Sequence, residues 1–180
     1  MVWTSQGELK IPSISQPTQF LTVCLFSITL VVQTGLPSSA EQYIHRLGRT
    51  ARAGASGRGI LILSSFEKWF LQQKEVAALP IHPHPSLPTL PTKDINTALA
   101  RVDQVTKAKA YQAWLGYYNP YMKKMAVTPP QFVEMANTYA MEILKYQGEQ
   151  TPPMMAKAVG MMRLKGVPGL NIVRTLNNTA

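Results

Sequence analysis

One cysteine, Cys24, stands in 180 residues, and that scarcity excludes a disulfide framework and a cysteine-rich zinc site. Acidic residues are also sparse: nine Asp and Glu face eighteen Lys and Arg, a formal net charge of +9. The imbalance favours a polyanionic partner, RNA, DNA or an anionic membrane surface, with a soluble basic protein as the plain alternative. No apolar run reaches the ~20 residues that a membrane-spanning helix needs. The longest, "FLTVCLFSITLVV" from Phe20 to Val32, has the length of a signal-peptide core. The preceding "MVWTSQGELKIPSISQPTQ" has neither the basic start of a secretory signal nor the arginines of a mitochondrial one, so no targeting segment and no membrane partner are expected. A GxxxxGK[ST] loop is absent throughout, which removes the usual cradle for nucleotide phosphates.

What is present divides by composition. "ITLVVQ", Ile28 to Gln33, is a β-branched run that predicts a buried strand, and "TGLPSS" after it predicts a turn. Ser38 or Ser39 can cap a helix with Glu41 and Gln42 in its first turn. That helix carries Tyr43, His45 and Arg46 and ends near Gly48. "GILILS", Gly59 to Ser64, predicts a second buried strand. "SFEKWFLQQKEVAAL" offers a helical stripe of Phe66, Trp69, Phe70 and Leu71. Strand, helix, strand, helix is the order of a parallel α/β sheet.

Residues 80–92, "PIHPHPSLPTLPT", hold five prolines and read as an extended linker. His82 and His84, with no cysteine or carboxylate beside them, suggest no metal site. Beyond the linker the pattern is helical. "DINTALARVDQVTKAKAYQAWLGYY" spaces Ile95, Leu99, Val102, Ala110, Ala113 and Leu115 at roughly helical intervals, "TPPQFVEMANTYAMEILKY" opens on a Thr cap with early prolines, and "TPPMMAKAVGMMRLKG" repeats that opening. Residues 1–92 hold seven basic and four acidic side chains, net +3, whereas residues 93–180 hold eleven and five, net +6. The helical part is the more basic one.

Within "YIHRLGRTARAG", Tyr43 to Gly54, stand His45, Arg46, Arg49 and Arg52. Arginine offers a planar fork of donors matched to phosphate oxygens, and arginines aimed at a transferring phosphoryl group stabilise its developing charge. A basic surface loop is the bland alternative. The longer string "GLPSSAEQYIHRLGRTARAGASGRGILIL", with "LVVQ" before it, resembles the motif VI region of DEAD-box RNA helicases in the second of their two RecA-like domains. The resemblance implies that Arg49 and Arg52 are arginine fingers reaching the ATP γ-phosphate, and that His45 and Arg46 couple that cleft to the first domain. The helical remainder, through "AYQAWLGYYN", "ANTYAMEILKY" and "LKGVPGL", is similar to the C-terminal extension of fungal mitochondrial DEAD-box helicases that act as RNA chaperones.

The organisation expected is a non-family segment over 1–27, a C-terminal part of a second RecA-like domain over 28–79, the linker over 80–92 and a basic helical extension over 93–180. The fold class is α/β: a partial RecA-like parallel sheet of about two strands, then an all-α extension. Neither "DEAD" nor "SAT" occurs, and "SISQPTQFLTVCLFS" stands where the family carries an "RG-D-P" style motif. The 1–27 composition fits translated intron, disordered or poorly packed. These departures imply a fragment: ATP and Mg²⁺ serve the full-length parent and neither is held by this chain alone, which is expected to be inactive by itself. The partners implied are RNA and the absent first RecA-like domain, not DNA. The compartment implied is the mitochondrion, with nucleus or cytoplasm as alternatives. A short non-enzymatic RNA-binding protein and a DNA-helicase relative are the competing readings. Lys107, Lys109, Lys123 and Lys124 are candidates for RNA phosphate contact; around them Tyr111, Trp114, Tyr117, Tyr118 and Tyr121 either stack on bases or form helix core. The nine methionines are read as adaptable core filler.

Overall fold

Strand β1, Val2–Gln6, lies inside the segment set apart as non-family sequence and is nevertheless paired on both sides. In the computed structural model residues 2–6, 28–50, 57–85 and 92–174 are described. They fall into two units, Met1–Thr89 and Leu90–Ala180, divided within the proline-rich linker.

In the first unit β2, Leu30–Thr34, follows the β-branched run and ends at Gly35, whose φ of 77° is open to glycine without strain. Helix α1, Ala40–Leu47, starts where expected: the Ser39 Oγ accepts a hydrogen bond from the Gln42 N–H at 3.1 Å. Its buried face, Ala40, Tyr43 and Leu47, follows the i, i+3, i+7 spacing of one helix stripe. Strand β3, Arg58–Ile62, runs parallel to β2, pairing Leu30 with Arg58 and Thr34 with Ile62.

The two expected strands are therefore present, but β2 is not the buried strand expected, since Leu30 is 47% and Val32 55% exposed on this edge strand, and the sheet is larger and mixed. β1 lies antiparallel to β3, and β4, Ile81–Pro83, lies antiparallel to β1 on its other side, giving the order β2-β3-β1-β4. Of the segments read as 1–27 and 80–92, the described residues Val2–Gln6 and Ile81–Pro83 are thus strands of the sheet; the rest of 1–27 lies outside the described residues. The hydrogen-bonding edge of a buried strand must find a partner, and β1 supplies one. Pro83 is tolerated because β4 is an edge strand, where a missing N–H breaks no ladder.

The expected helix after β3 also differs. Ser65–Gln72 is 3₁₀, Gln73 breaks the path with ψ 136°, and helix α2, Lys74–Ala77, is one turn long. With three residues per turn the buried positions are Glu67 and Phe70 rather than a Phe66–Trp69–Phe70–Leu71 stripe. Phe70 meets Tyr43 edge-on at 6.0 Å.

The second unit opens with α3, Lys93–Ala100, which buries no residue; Ile95 is 59% exposed. Asp103 then caps α4, Gln104–Tyr118. Its carboxylate accepts from Thr106 Oγ1 at 2.7 Å and from the Thr106 N–H at 2.8 Å, bonds that hold it below the usual carboxylate range. This cap splits the long helical pattern in two. The face of α4 that enters the core is Lys107, Ala108, Tyr111 and Leu115; of the expected series Leu115 is buried, whereas Val102, Ala110 and Ala113 are not. Helix α5, Met122–Met125, leads to α6, Pro129–Thr138, which begins on Thr128 with both prolines in its first turn, as expected. It widens into a π turn over Tyr139–Ile143.

The second "TPP" does not start a helix. Pro153–Met155 is strand β5, which pairs in parallel with β6, Asn171–Val173, and α7, Ala156–Met161, begins only after it. The core gathers Tyr111, Leu115, Phe132, Val133, Ala136, Ala140, Met154, Val159 and Leu164. Methionine is not uniformly filler: Met154 is buried, but Met161 is 77% exposed.

Candidate functional site

Helix α1 positions the cationic string. Its Ser39 cap fixes the first turn, its apolar stripe is buried with Tyr43 against Phe70, and Glu41, His45 and Arg46 are left exposed. His45 and Arg46 occupy the exposed last turn; Arg49 follows Gly48 and is exposed as well, its N–H donating to the Arg46 carbonyl at 3.2 Å. Gly48 ends the helix as expected, with an ordinary φ of −66°. Ser39, Glu41, Gln42, His45, Arg46 and Arg49 line one shallow concavity of about 350 Å³. Gln42, His45 and Arg46 share a face of α1, and the turn after its Gly48 cap brings Arg49 to the same concavity. Arg52 lies outside the described residues.

Cations at a helix C-terminus offset its partial negative charge, but that role does not require three of them or the arginine beyond the helix. The lining set is suited to an anion: two guanidinium forks and an imidazole against one carboxylate, Glu41. It is unsuited to a hard divalent cation, which needs several oxygen ligands. Among the described residues no group of three His, Cys, Asp or Glu could hold a metal ion. No helix among them is long and apolar enough to cross a membrane.

Glu67 supports this surface and was not singled out in the sequence, although Ser64-x-x-Glu67 is a capping-box signal. It is buried; Oε1 accepts from the Leu36 N–H at 2.8 Å and Oε2 from the Ser64 N–H at 2.6 Å. One carboxylate thus ties the loop entering α1 to the end of β3. Gln33 adds a second tie, its Nε2 donating to the Tyr43 carbonyl at 3.2 Å.

In the second unit the four candidate lysines separate. Lys107 is 1% exposed, and its Nζ donates to the Lys145 carbonyl at 3.0 Å. It is a core tie between α4 and the residues after the π turn, which corrects its reading as a phosphate contact. Lys109, Lys123 and Lys124 are exposed, and the Lys124 Nζ lies 5.8 Å from the centre of the Tyr121 ring.

The aromatics separate too. Tyr111 is fully buried, its hydroxyl donates to Asn137 Oδ1 at 2.8 Å, and burial pushes its pKa up to about 12. Trp114 stacks against Phe132 at 5.5 Å and Tyr139 at 5.8 Å. Both belong to helix packing. Tyr117, 40% exposed, has its ring 6.0 Å from that of the part-buried Tyr121. Exposed lysines beside aromatic faces suit a single-stranded nucleic acid.

No family model matches the chain. It is 46% identical over 151 residues to a protein of Phaeosphaeria nodorum named ATP-dependent RNA helicase MSS116, mitochondrial, covering 81% of this chain and 26% of that one. It is 43% identical over 144 residues to DEAD-box ATP-dependent RNA helicase 31 of Arabidopsis thaliana, covering 79% and 19%. The chain thus spans about a quarter or less of the length of these curated relatives. Among solved structures it is similar to Mss116p, with N-terminal extension and C-tail deleted, bound to single-stranded RNA and AMP-PNP. The TM-score is 0.58 at 21% identity, over 77% of this chain and 28% of that one. At that identity the likeness concerns the fold.

Proposed function

We propose that this chain, a homologue of the DEAD-box ATP-dependent RNA helicases, supplies the arginine-bearing edge of a two-domain RNA-dependent ATPase together with a basic RNA-contacting module. The observation that carries the reading is the gathering of His45 and Arg46, in the last turn of α1, with Arg49 just beyond its end around one exposed concavity. Phosphoryl transfer needs positive donors where charge develops on the γ-phosphate oxygens, and arginines in that role contribute ~10³–10⁵ to turnover. Arg49 and Arg52 are assigned that role, and His45 and Arg46 hold the edge in register with the first RecA-like domain. ATP and Mg²⁺ rest on that other domain. The lining of this edge suits phosphate and not the metal, and the sequence carries neither GxxxxGK[ST] nor "DEAD".

In the second unit Lys109, Lys123 and Lys124 contact RNA phosphates, and Tyr117 and Tyr121 offer ring faces to unpaired bases. Phosphate contacts of this kind position a strand without reading its sequence. The mitochondrial name of the Phaeosphaeria nodorum relative leads us to place the working enzyme in that organelle.

Two measurements test the reading. The chain alone should show no RNA-stimulated ATPase, whereas in a complete enzyme carrying this segment Arg49→Ala should lower turnover ~10³-fold with RNA binding little changed. Full activity of that variant would overturn the assignment. Binding of the chain to single-stranded RNA should weaken with salt at a slope near −2, from ~0.7 for each of three lysines engaged. Changing Lys109, Lys123 and Lys124 to Gln should flatten it. Absence of binding at low salt would leave the helical unit as a scaffold only.

A further inference from the structure

β2 is an outer strand of its sheet. In a parallel pair, alternate residues turn their backbone groups toward the neighbouring strand. The Thr29 carbonyl accepts from the Arg58 N–H at 2.9 Å, and the Gly35 N–H donates to the Ile62 carbonyl at 3.0 Å, so the odd-numbered residues face β3. Leu30, Val32 and Thr34 therefore turn their N–H and C=O groups away from β3, and among the described residues no strand takes them up. Side chains of the same alternation stand bare on one face of the sheet: Ile28 is 45%, Leu30 47% and Val32 55% exposed. Edge strands are ordinarily closed to further pairing by charge or proline. β2 has neither, and no charged residue occurs between Ile28 and Ala40.

The opposite edge of the sheet is blunted. β4 contains Pro83 and is flanked by Pro80 and Pro85, and a strand so interrupted offers no continuous row of donors. Head-to-tail joining of β2 to the β4 edge of another copy is thereby disfavoured, and with it an open fibre. Joining β2 to the same edge of a second copy is an isologous contact, which closes at two chains. With an antiparallel pairing about a two-fold axis at Val32, Leu30 lies opposite Thr34 of the second copy and Val32 lies opposite its own counterpart. Each such pair exchanges two hydrogen bonds, so every outward group of Leu30, Val32 and Thr34 is satisfied. Valine meets valine on the bare face, and no like charges oppose each other.

We infer that this chain forms a two-fold dimer through β2, with the sheets of two copies joined into one. The contact is made of backbone and apolar groups, whereas each chain carries a net +9. Salt screens the repulsion between copies, so it favours the dimer while it weakens RNA binding.

Sedimentation equilibrium of the whole chain after ribonuclease treatment tests this. A reversible monomer–dimer equilibrium is expected, with a dissociation constant that does not rise between ~0.1 and ~1 M salt. Val32→Lys sets two ammonium groups against each other at the axis and should raise that constant about tenfold or more. Ile95→Lys, on α3 at a position 59% exposed, should leave it unchanged. In a Cys24→Ser background, Val32→Cys carries the single thiol of the chain. Mild oxidation should link two such copies, because paired Cα atoms ~5.5 Å apart are within reach of a disulfide; Ile95→Cys in the same background should not link. A chain that stays monomeric at every concentration overturns the inference. So does a dimer that ribonuclease removes, a constant that rises with salt, undiminished dimerisation of Val32→Lys, an equal loss in Ile95→Lys, or equal cross-linking of the two thiol variants.

Discussion

Replacing Lys107 by Ala should destabilise the helical unit by about 2–4 kcal/mol while leaving its RNA affinity and salt dependence unchanged. The magnitude comes from the environment of that side chain. It is 1% exposed, and the substitution deletes three methylenes of its stem, worth ~0.8 kcal/mol each when buried. It also removes the bond from Nζ to the Lys145 carbonyl, and hydrogen bonds to charged groups contribute ~1.5–3 kcal/mol. Relief of the desolvated ammonium, and water reaching the carbonyl of the exposed Lys145, offset part of that. Lys107→Met keeps the stem and should cost only about 1 kcal/mol, so the difference between the two variants reports the packing of the stem. Lys109→Ala, at an exposed position, should stay within ~0.5 kcal/mol. Amide hydrogen exchange in α4 and α6 of the whole chain reads the stability of this unit separately from the other. The RNA salt slope is the second readout: Lys109→Gln should lower it by ~0.7, and Lys107→Met not at all. If Lys107→Met lowers the slope as Lys109→Gln does, or Lys107→Ala changes protection by less than ~0.5 kcal/mol, the burial of Lys107 is wrong.

Glu67→Gln keeps the shape of the side chain but turns an amide N–H₂ toward one of two backbone donors; a cost of ~1–3 kcal/mol is expected. Faster amide exchange at Leu36 or Ser64 should accompany it, and native protection at both would refute the role of the carboxylate. Tyr111 supplies a pH test. Its folded pKa, near 12, exceeds the unfolded value of 10.0 because burial disfavours the phenolate. Stability is therefore independent of this group below about pH 10 and falls as pH rises from 10 toward 12, where the unfolded chain releases a proton that the folded chain retains. Tyr111→Phe should remove most of that fall at a cost of ~1–2 kcal/mol from the lost bond to Asn137. A remnant is expected from Tyr139, which burial shifts in the same direction. Urea midpoints measured on both sides of about pH 10 check this, and a parallel decline in the two proteins would exclude Tyr111 as its source.

The sequence by itself determined the features whose physics is short-range. The β-branched run of β2, the Ser39 cap of α1 and the Thr128-Pro129-Pro130 start of α6 are each set by residues within a few positions of one another. For the same reason His45, Arg46 and Arg49 were legible as one cluster, since the last turn of α1 and the residue after its Gly48 cap lie within a few positions of one another. Only the tertiary structure decided which side chains are covered, and by what. β1 becomes an inner strand because β3 and β4 meet its two edges, partners far along the chain that leave no pattern within Val2–Gln6. "TPP" opens a helix at Thr128 but leads into a strand at Thr151, because β6, eighteen residues beyond β5, offers a ladder there. Lys109 remains in solvent while Lys107, two residues earlier, is buried: two positions of helix rotate a side chain by about 200°, more than half a turn. The turn of chain that covers Lys107 ends at Lys145, 38 residues away, and burial is a property of that meeting, which no window of local sequence contains.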